Sequence, residues 1–113
     1  MTENIPQFGS IIWINFNPIK GHEQSGKRPA LVLSNTKYND VTGMALVAPI
    51  TSKTKGYAGE IPLPEGLEIK GVILSDQIRN LEWIERPVDI SNTILDVAIV
   101  KKVLLRLKTI CSE

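Results

Sequence analysis

Apolar and polar positions along the chain fall into short blocks with two different periods. Ile11-Ile12-Trp13-Ile14-Asn15-Phe16 is β-branched and aromatic, bounded by Gly9 and by Asn17-Pro18, and predicts a first strand. Residues 17–28 hold Pro18, Gly21 and Gly26 without periodicity and read as a long inter-strand loop, a kind of segment that often carries function. Pro29–Ser34 and Met44–Ile50 are largely apolar runs of strand length, expected to be central and buried, with the turn-rich Asn39-Asp40-Val41-Thr42-Gly43 between them. Glu60-Ile61-Pro62-Leu63 predicts an edge strand, because proline cannot donate to a ladder; Gly71–Gln77 predicts another strand, and Arg86–Ile90 a short one that Pro87 confines to an edge. The period changes near the C-terminus. Val97, Val100, Leu104, Leu107 and Cys111 recur every three or four residues and predict one face of a helix that packs on the sheet. Thr93 followed by Asp96 stands where an N-cap and a first-turn acid belong, and Lys101, Lys102, Arg106 and Lys108 favour the C-terminal half. Strands first and a helix last give a mainly β or α+β domain, barrel-like.

Size and composition narrow the function classes. A chain of 113 residues and 12.5 kDa fits one domain over residues 1–113, which can bury roughly two-thirds of its unfolded surface without metal or disulfides. Apolar runs such as Met44–Ala48 are far shorter than the roughly 20 residues a spanning helix needs. Met1-Thr2-Glu3-Asn4 has no basic stretch followed by an apolar one, so a cytoplasmic protein with no membrane partner is expected. Cys111 is the single cysteine and His22 the single histidine, so neither an internal disulfide nor a Cys/His zinc site can be assembled, and no cofactor or metal is expected. The net charge of +1 conceals an asymmetry: residues 20–55 carry six Lys or Arg against two acids, residues 56–96 three against eight, and the tail is basic again. A local positive surface is compatible with this pattern, as is a scatter of the charge blocks over the surface.

Several polar residues stand where chemistry is available. The stretch from Gly21 to Lys27 has the glycine and lysine spacing of a P-loop, but Arg28-Pro29 replaces the Ser/Thr and the helix that such a loop needs, and the chain enters a strand instead. Arg28, restricted by Pro29, projects from the end of a predicted strand. An always-charged guanidinium with bidentate donors suits a phosphorane, and a surface salt bridge, for instance with Glu23, is the competing reading. Thr51-Ser52 places two hydroxyls where a core strand leaves the sheet, against the plainer role of bonding local backbone. His22 could exchange protons near neutral pH or be a plain surface residue. Asp76-Gln77 brings a carboxylate and an amide to a strand end, with a turn cap as the alternative. Arg28, Thr51, Ser52, Asp76 and Gln77 all fall at predicted strand ends, and their convergence would assemble a phosphate-transfer site.

Gly9-Ser10-Ile11-Ile12-Trp13-Ile14-Asn15-Phe16-Asn17-Pro18, Gly21-His22-Glu23-Gln24, Lys27-Arg28-Pro29-Ala30-Leu31-Val32-Leu33-Ser34, Pro49-Ile50-Thr51 and Ser75-Asp76-Gln77-Ile78-Arg79, in this order, closely resemble the MazF/PemK (Kid) toxins of bacterial toxin–antitoxin systems over about residues 8–110. The resemblance implies a small SH3-like barrel with a C-terminal helix. It also implies a homodimer, metal-independent cleavage of single-stranded RNA (mRNA), and neutralisation by a cognate MazE-like antitoxin whose C-terminal segment wraps the dimer. Position by position it makes Arg28 the residue that stabilises the phosphorane and Thr51 its partner at the scissile phosphate. His22 and Asp76 become catalytic support. Glu23 and Gln24 match loop residues that contact RNA bases, and Gln77 belongs with Asp76 to an acid–amide pair implicated in catalysis or base recognition. Beside them Lys27, Ser52 and Lys53 are expected to bind RNA, the lysines at 53 and 55 suiting a flexible reader of unstacked bases. Leu74 stands where Kid has a catalytic arginine, which shifts weight to Arg28. The 2′-hydroxyl of RNA is its own nucleophile, so products with a 2′,3′-cyclic phosphate and a 5′-hydroxyl are expected.

Two other classes compete. A non-enzymatic toxin like CcdB, which shares the fold and binds gyrase, depends on an aromatic near its C-terminus, whereas this chain ends Lys108-Thr109-Ile110-Cys111-Ser112-Glu113. An inactive RNA-binding relative would show salt-sensitive RNA affinity without cleavage.

Overall fold

The computed structural model describes residues 4–17 and 26–113; His22, Glu23 and Gln24 lie outside the described residues. The elements are β1 (Ser10–Asn15), β2 (Lys27–Val32), α1 (Thr36–Thr42), β3 (Ala45–Thr51), β4 (Glu60–Pro62), β5 (Val72–Leu74), β6 (Arg79–Leu81), a 3₁₀ turn (Trp83–Glu85), β7 (Val88–Ile94) and α2 (Val97–Ile110). All pairings are antiparallel, in the order β4-β5-β3-β2-β1-β7, with β6 joining β3 off that path. This is the mainly β architecture with a C-terminal helix that the sequence predicts. β4 and β7, the two strands that proline confines to an edge, stand at the two ends of the order.

The central strands read as near-continuous apolar runs because both of their faces are covered. Ile11, Leu31, Ala48, Ile50 and Ile73 face one core with Val100 and Val103 of α2. Ile12, Ile14, Ala30, Val32, Ala45, Val47 and Leu81 face the other. No helix among the described residues is long and apolar enough to cross a membrane.

The structure departs from the sequence reading in several places. The turn-rich stretch is part of a helix, α1, whose N-cap Asn35 accepts from the Tyr38 amide and whose C-cap Gly43 adopts φ 69°. Its buried side chain is polar: Asn39 bonds the Ser34 hydroxyl and donates to the Pro6 carbonyl, so no apolar period marks the helix. In α2 the buried residues are Val100 and Val103, while Val97 and Leu104 are exposed and Cys111 lies at the exposed C-cap. Asp96 rather than Thr93 caps it, accepting from the Ala98 amide at 2.9 Å; Thr93 belongs to β7, which runs four residues beyond its expected end. β2 begins at Lys27, two residues early, and the 71–77 strand shortens to Val72–Leu74.

Candidate active site

The chemistry gathers where β2 begins and β3 ends. Ala30 lies opposite Pro49, and two residues further along these antiparallel strands the same register carries Arg28 and Thr51 to one end of the sheet. β5 pairs Val72 with Thr51 there, and Gly71 before it approaches the Thr51 backbone so closely that an added Cβ would lie 2.1 Å from the Thr51 carbonyl oxygen. Gly71 has φ 134°, a conformation that side-chain-bearing residues avoid.

A cleft of about 720 Å³ opens at this end. Arg28, Thr51, Ser52, Lys53 and Gln77 all line it, opposite a wall to which Trp13 and Lys70 contribute. A second, smaller groove of about 320 Å³ lies on the other side of Arg28, lined by Phe16, Asn17, Gly26, Ile78 and Arg79. Arg28, Pro49 and Gln77 border both, so Arg28 stands on the saddle between them. Two ion pairs form among the described residues, Lys27 with Asp89 at 2.8 Å and Arg86 with Glu82 at 3.0 Å, and neither uses Arg28. No described residue pairs with its charge, and Glu23, the partner in the competing reading, lies outside the described residues. The Thr51 hydroxyl accepts from the Lys53 amide at 3.1 Å, a local backbone bond that leaves its O–H free to donate into the cleft.

The structure separates other residues from this group. Asp76 lines neither cleft; its Oδ1 accepts from the Tyr57 hydroxyl at 2.9 Å, and this bond holds the Tyr57 phenol above its usual pKa. Gly59 makes room for the pair, since a Cβ there would lie 2.7 Å from the Tyr57 ring and 2.8 Å from Asp76 Oδ1. Ser75 fixes Gly59 by donating its hydroxyl and its amide to the Gly59 carbonyl. The Lys27 ammonium, expected at RNA, is held by Asp89. Glu60 accepts from the Lys55 and Gly56 amides and pins the segment after Lys53. Among the described residues no three His, Cys, Asp or Glu side chains gather to hold a metal ion. Trp13, Lys70, Ser91 and Thr93 also line the large cleft and were not legible as site residues: Trp13, Ser91 and Thr93 are brought there by the β1–β7 pairing, and Lys70 by the segment that leads into β5. Arg79 could have been found, since it closes the Ser75–Arg79 run.

Residues 7–111 match the family described as PemK-like, MazF-like toxin of type II toxin–antitoxin system. The chain is 48% identical over 79 residues, 70% of each protein, to the endoribonuclease toxin MazF of Escherichia coli (strain K12). The fold superposes on the crystal structure of MazF (Form-I) from Deinococcus radiodurans with a TM-score of 0.83 and 40% identity, covering 95% of this chain and 96% of that one. A MazE–MazF structure (Form-II) from the same organism gives 0.82 and 35%, covering 96% of each.

Proposed function

Because the chain belongs to the PemK-like, MazF-like toxin family of type II toxin–antitoxin systems, we propose that it is the toxin of such a pair, an endoribonuclease that cuts single-stranded mRNA and so arrests translation and growth. The observation that carries this reading is the placement of Arg28 on the saddle between two clefts, in no ion pair with another described residue, beside the strand end that presents Thr51 and Ser52. A chain laid across the saddle sets one phosphodiester against the guanidinium with a nucleotide on either side.

In the proposed step the 2′-oxygen gives up its proton to a base, with His22 supporting the proton transfers, and attacks the neighbouring phosphorus. The bond to the 5′-oxygen breaks and that oxygen takes up a proton from water, leaving a 2′,3′-cyclic phosphate and a 5′-hydroxyl. Arg28 stabilises the charge on the pentacovalent phosphorane, and the Thr51 hydroxyl donates to a non-bridging oxygen. The nucleophile comes from the RNA and the charge stabilisation from Arg28 and Thr51, so the reaction is proposed to proceed without metal. Lys53, Ser52 and Gln77 contact the flanking nucleotides, with Glu23 and Gln24 as base readers from the 17–28 segment. Asp76 acts at one remove, by holding Tyr57.

The toxin is proposed to be a cytoplasmic homodimer neutralised by a MazE-like antitoxin. Exposed apolar residues on β7 and α2, namely Ile94, Val97, Leu104, Leu105 and Ile110, support self-association. An acidic antitoxin segment would compete with RNA for Arg28, Lys53 and Lys70. The test compares purified wild-type protein with Arg28→Ala and Thr51→Ala on a mixed-sequence single-stranded RNA. Loss of cleavage in folded variants is expected, and undiminished cleavage by folded Arg28→Ala would sink the assignment.

A further inference from the structure

Three successive backbone carbonyls at the end of β1 are each taken by an arginine. Arg86 Nη1 donates to the Asn15 oxygen at 2.9 Å and to the Asn17 oxygen, while Arg79 Nη1 donates to the Phe16 oxygen between them at 3.0 Å. Arg86 also donates Nη2 to Glu82 at 3.0 Å, and its side chain is only 6% exposed. The Asn17 amide in turn donates to the Asn15 side chain at 2.8 Å. Burying a permanent charge for stability alone is a poor arrangement, since an apolar residue of similar volume often serves as well. A guanidinium does what no apolar residue can: Nη1 holds two carbonyls two residues apart while Nη2, fixed in the same plane, is held by Glu82, and together they set the course of the chain through Phe16. Phe16 and Asn17 line the small groove together with Arg28.

We propose that Arg86 is a positioning residue for RNA cleavage, clamping Asn15 and Asn17 so that the Phe16–Asn17 wall holds the nucleotide on one side of the scissile phosphate. This rests on the endoribonuclease reading of Arg28. Lysine at position 86 keeps a charge, but its single ammonium must serve from one nitrogen the two carbonyls that Nη1 holds and the Glu82 carboxylate that Nη2 holds, and its flexible stem does not fix the direction of either. Loosening the wall by a fraction of an ångström lowers binding of the flanking nucleotide more than it lowers the chemical step.

The test uses the full-length protein, below the melting temperature of every variant, on an RNA library and on the preferred oligonucleotide it reveals. Arg86→Lys is expected to raise KM for the preferred oligonucleotide about 10-fold with a smaller change in kcat. It should also relax selectivity at one nucleotide adjoining the cut, with the same end groups. Glu82→Gln, which removes the counter-ion and leaves both carbonyl bonds, should melt earlier but keep the selectivity of the wild type. Should Arg86→Lys not fold, the exposed Arg79→Met, which releases the Phe16 carbonyl, is read for the same loss of selectivity. Wild-type KM and selectivity in folded Arg86→Lys would overturn the proposal, as would a Glu82→Gln variant that reproduces the selectivity change. A wild-type protein that cuts no RNA would instead overturn the endoribonuclease reading, and the role of Arg86 with it.

Discussion

Replacing Gly71 by alanine probes how closely the backbone sets Thr51. The new Cβ would stand 2.1 Å from the Thr51 carbonyl oxygen, 2.8 Å from its carbonyl carbon and 3.0 Å from the Ser52 Cα. A comfortable carbon–oxygen contact is about 3.3 Å, so the two backbones must part by roughly 1.2 Å. All three obstacles are main-chain atoms, and no side chain can swing aside to absorb the change. The φ of 134° adds strain of about 1–3 kcal/mol for a residue with a Cβ, and the overpacking adds a similar amount. Together these cost about 2–6 kcal/mol and lower the melting temperature by roughly 10–20 °C, against about 5–15 kcal/mol of stability in an ordinary domain, so the melt is read first and cleavage is compared below the melting temperature of the variant. Displacing Thr51 and Ser52 by about 1 Å from a phosphate held at Arg28 lowers cleavage by about 100-fold. Gly56→Ala is the control, because its φ is 78° but nothing stands within 4 Å of the added Cβ; it should show strain without the loss of rate. The assay is kcat/KM on one short single-stranded RNA beside a thermal melt. Wild-type cleavage by Gly71→Ala, or an equal loss from Gly56→Ala, would refute the claim that Gly71 places Thr51.

Other expectations follow from single contacts. Asp76 raises the Tyr57 pKa, so that bond stabilises the fold fully below about pH 10 and fades as pH rises past that value; Tyr57→Phe should melt below wild type at pH 8, with the gap closing above pH 10. The Glu82 carboxyl is held below its usual pKa by backbone hydrogen bonding and by Arg86, so its contribution is present above about pH 4.3 and is lost as pH falls further; Glu82→Gln should be less stable than wild type at neutral pH and converge with it in acid, read from melts between pH 3 and 7. Lys53, exposed at the cleft, should give an alanine variant with weaker RNA binding and a salt slope reduced by about 1, read from titrations at several ionic strengths.

The sheet was legible because β1, β2 and β3 are rich in Ile, Val, Leu and Ala, buried on both faces, and bounded by Gly and Pro. The first helix was not, because its signals are capping residues, Asn35 and Gly43, around a buried asparagine, and those residue types also spell a turn. The buried face of α2 was misread because Val97, Val100, Val103, Leu104 and Leu105 spread over about 200° of the helix, and only the packing of Val100 and Val103 against the sheet selects the inner side. At the site, strand ends could be read but not the faces that meet there. Thus Arg28, Thr51 and Gln77 share a cleft, while Asp76, one residue from Gln77, turns to Tyr57. Arg86 gave no sign of its burial, since its partners are backbone carbonyls some 70 residues away.

Incubating the purified chain with a mixed-sequence single-stranded RNA in EDTA, and identifying the ends of every fragment, tests the mechanism most directly, with Arg28→Ala as the control. Discrete cuts bearing 2′,3′-cyclic phosphate and 5′-hydroxyl ends, absent from the variant, are expected. Cleavage that requires a divalent cation, fragments bearing 5′-phosphates, or cuts that persist in folded Arg28→Ala would contradict it.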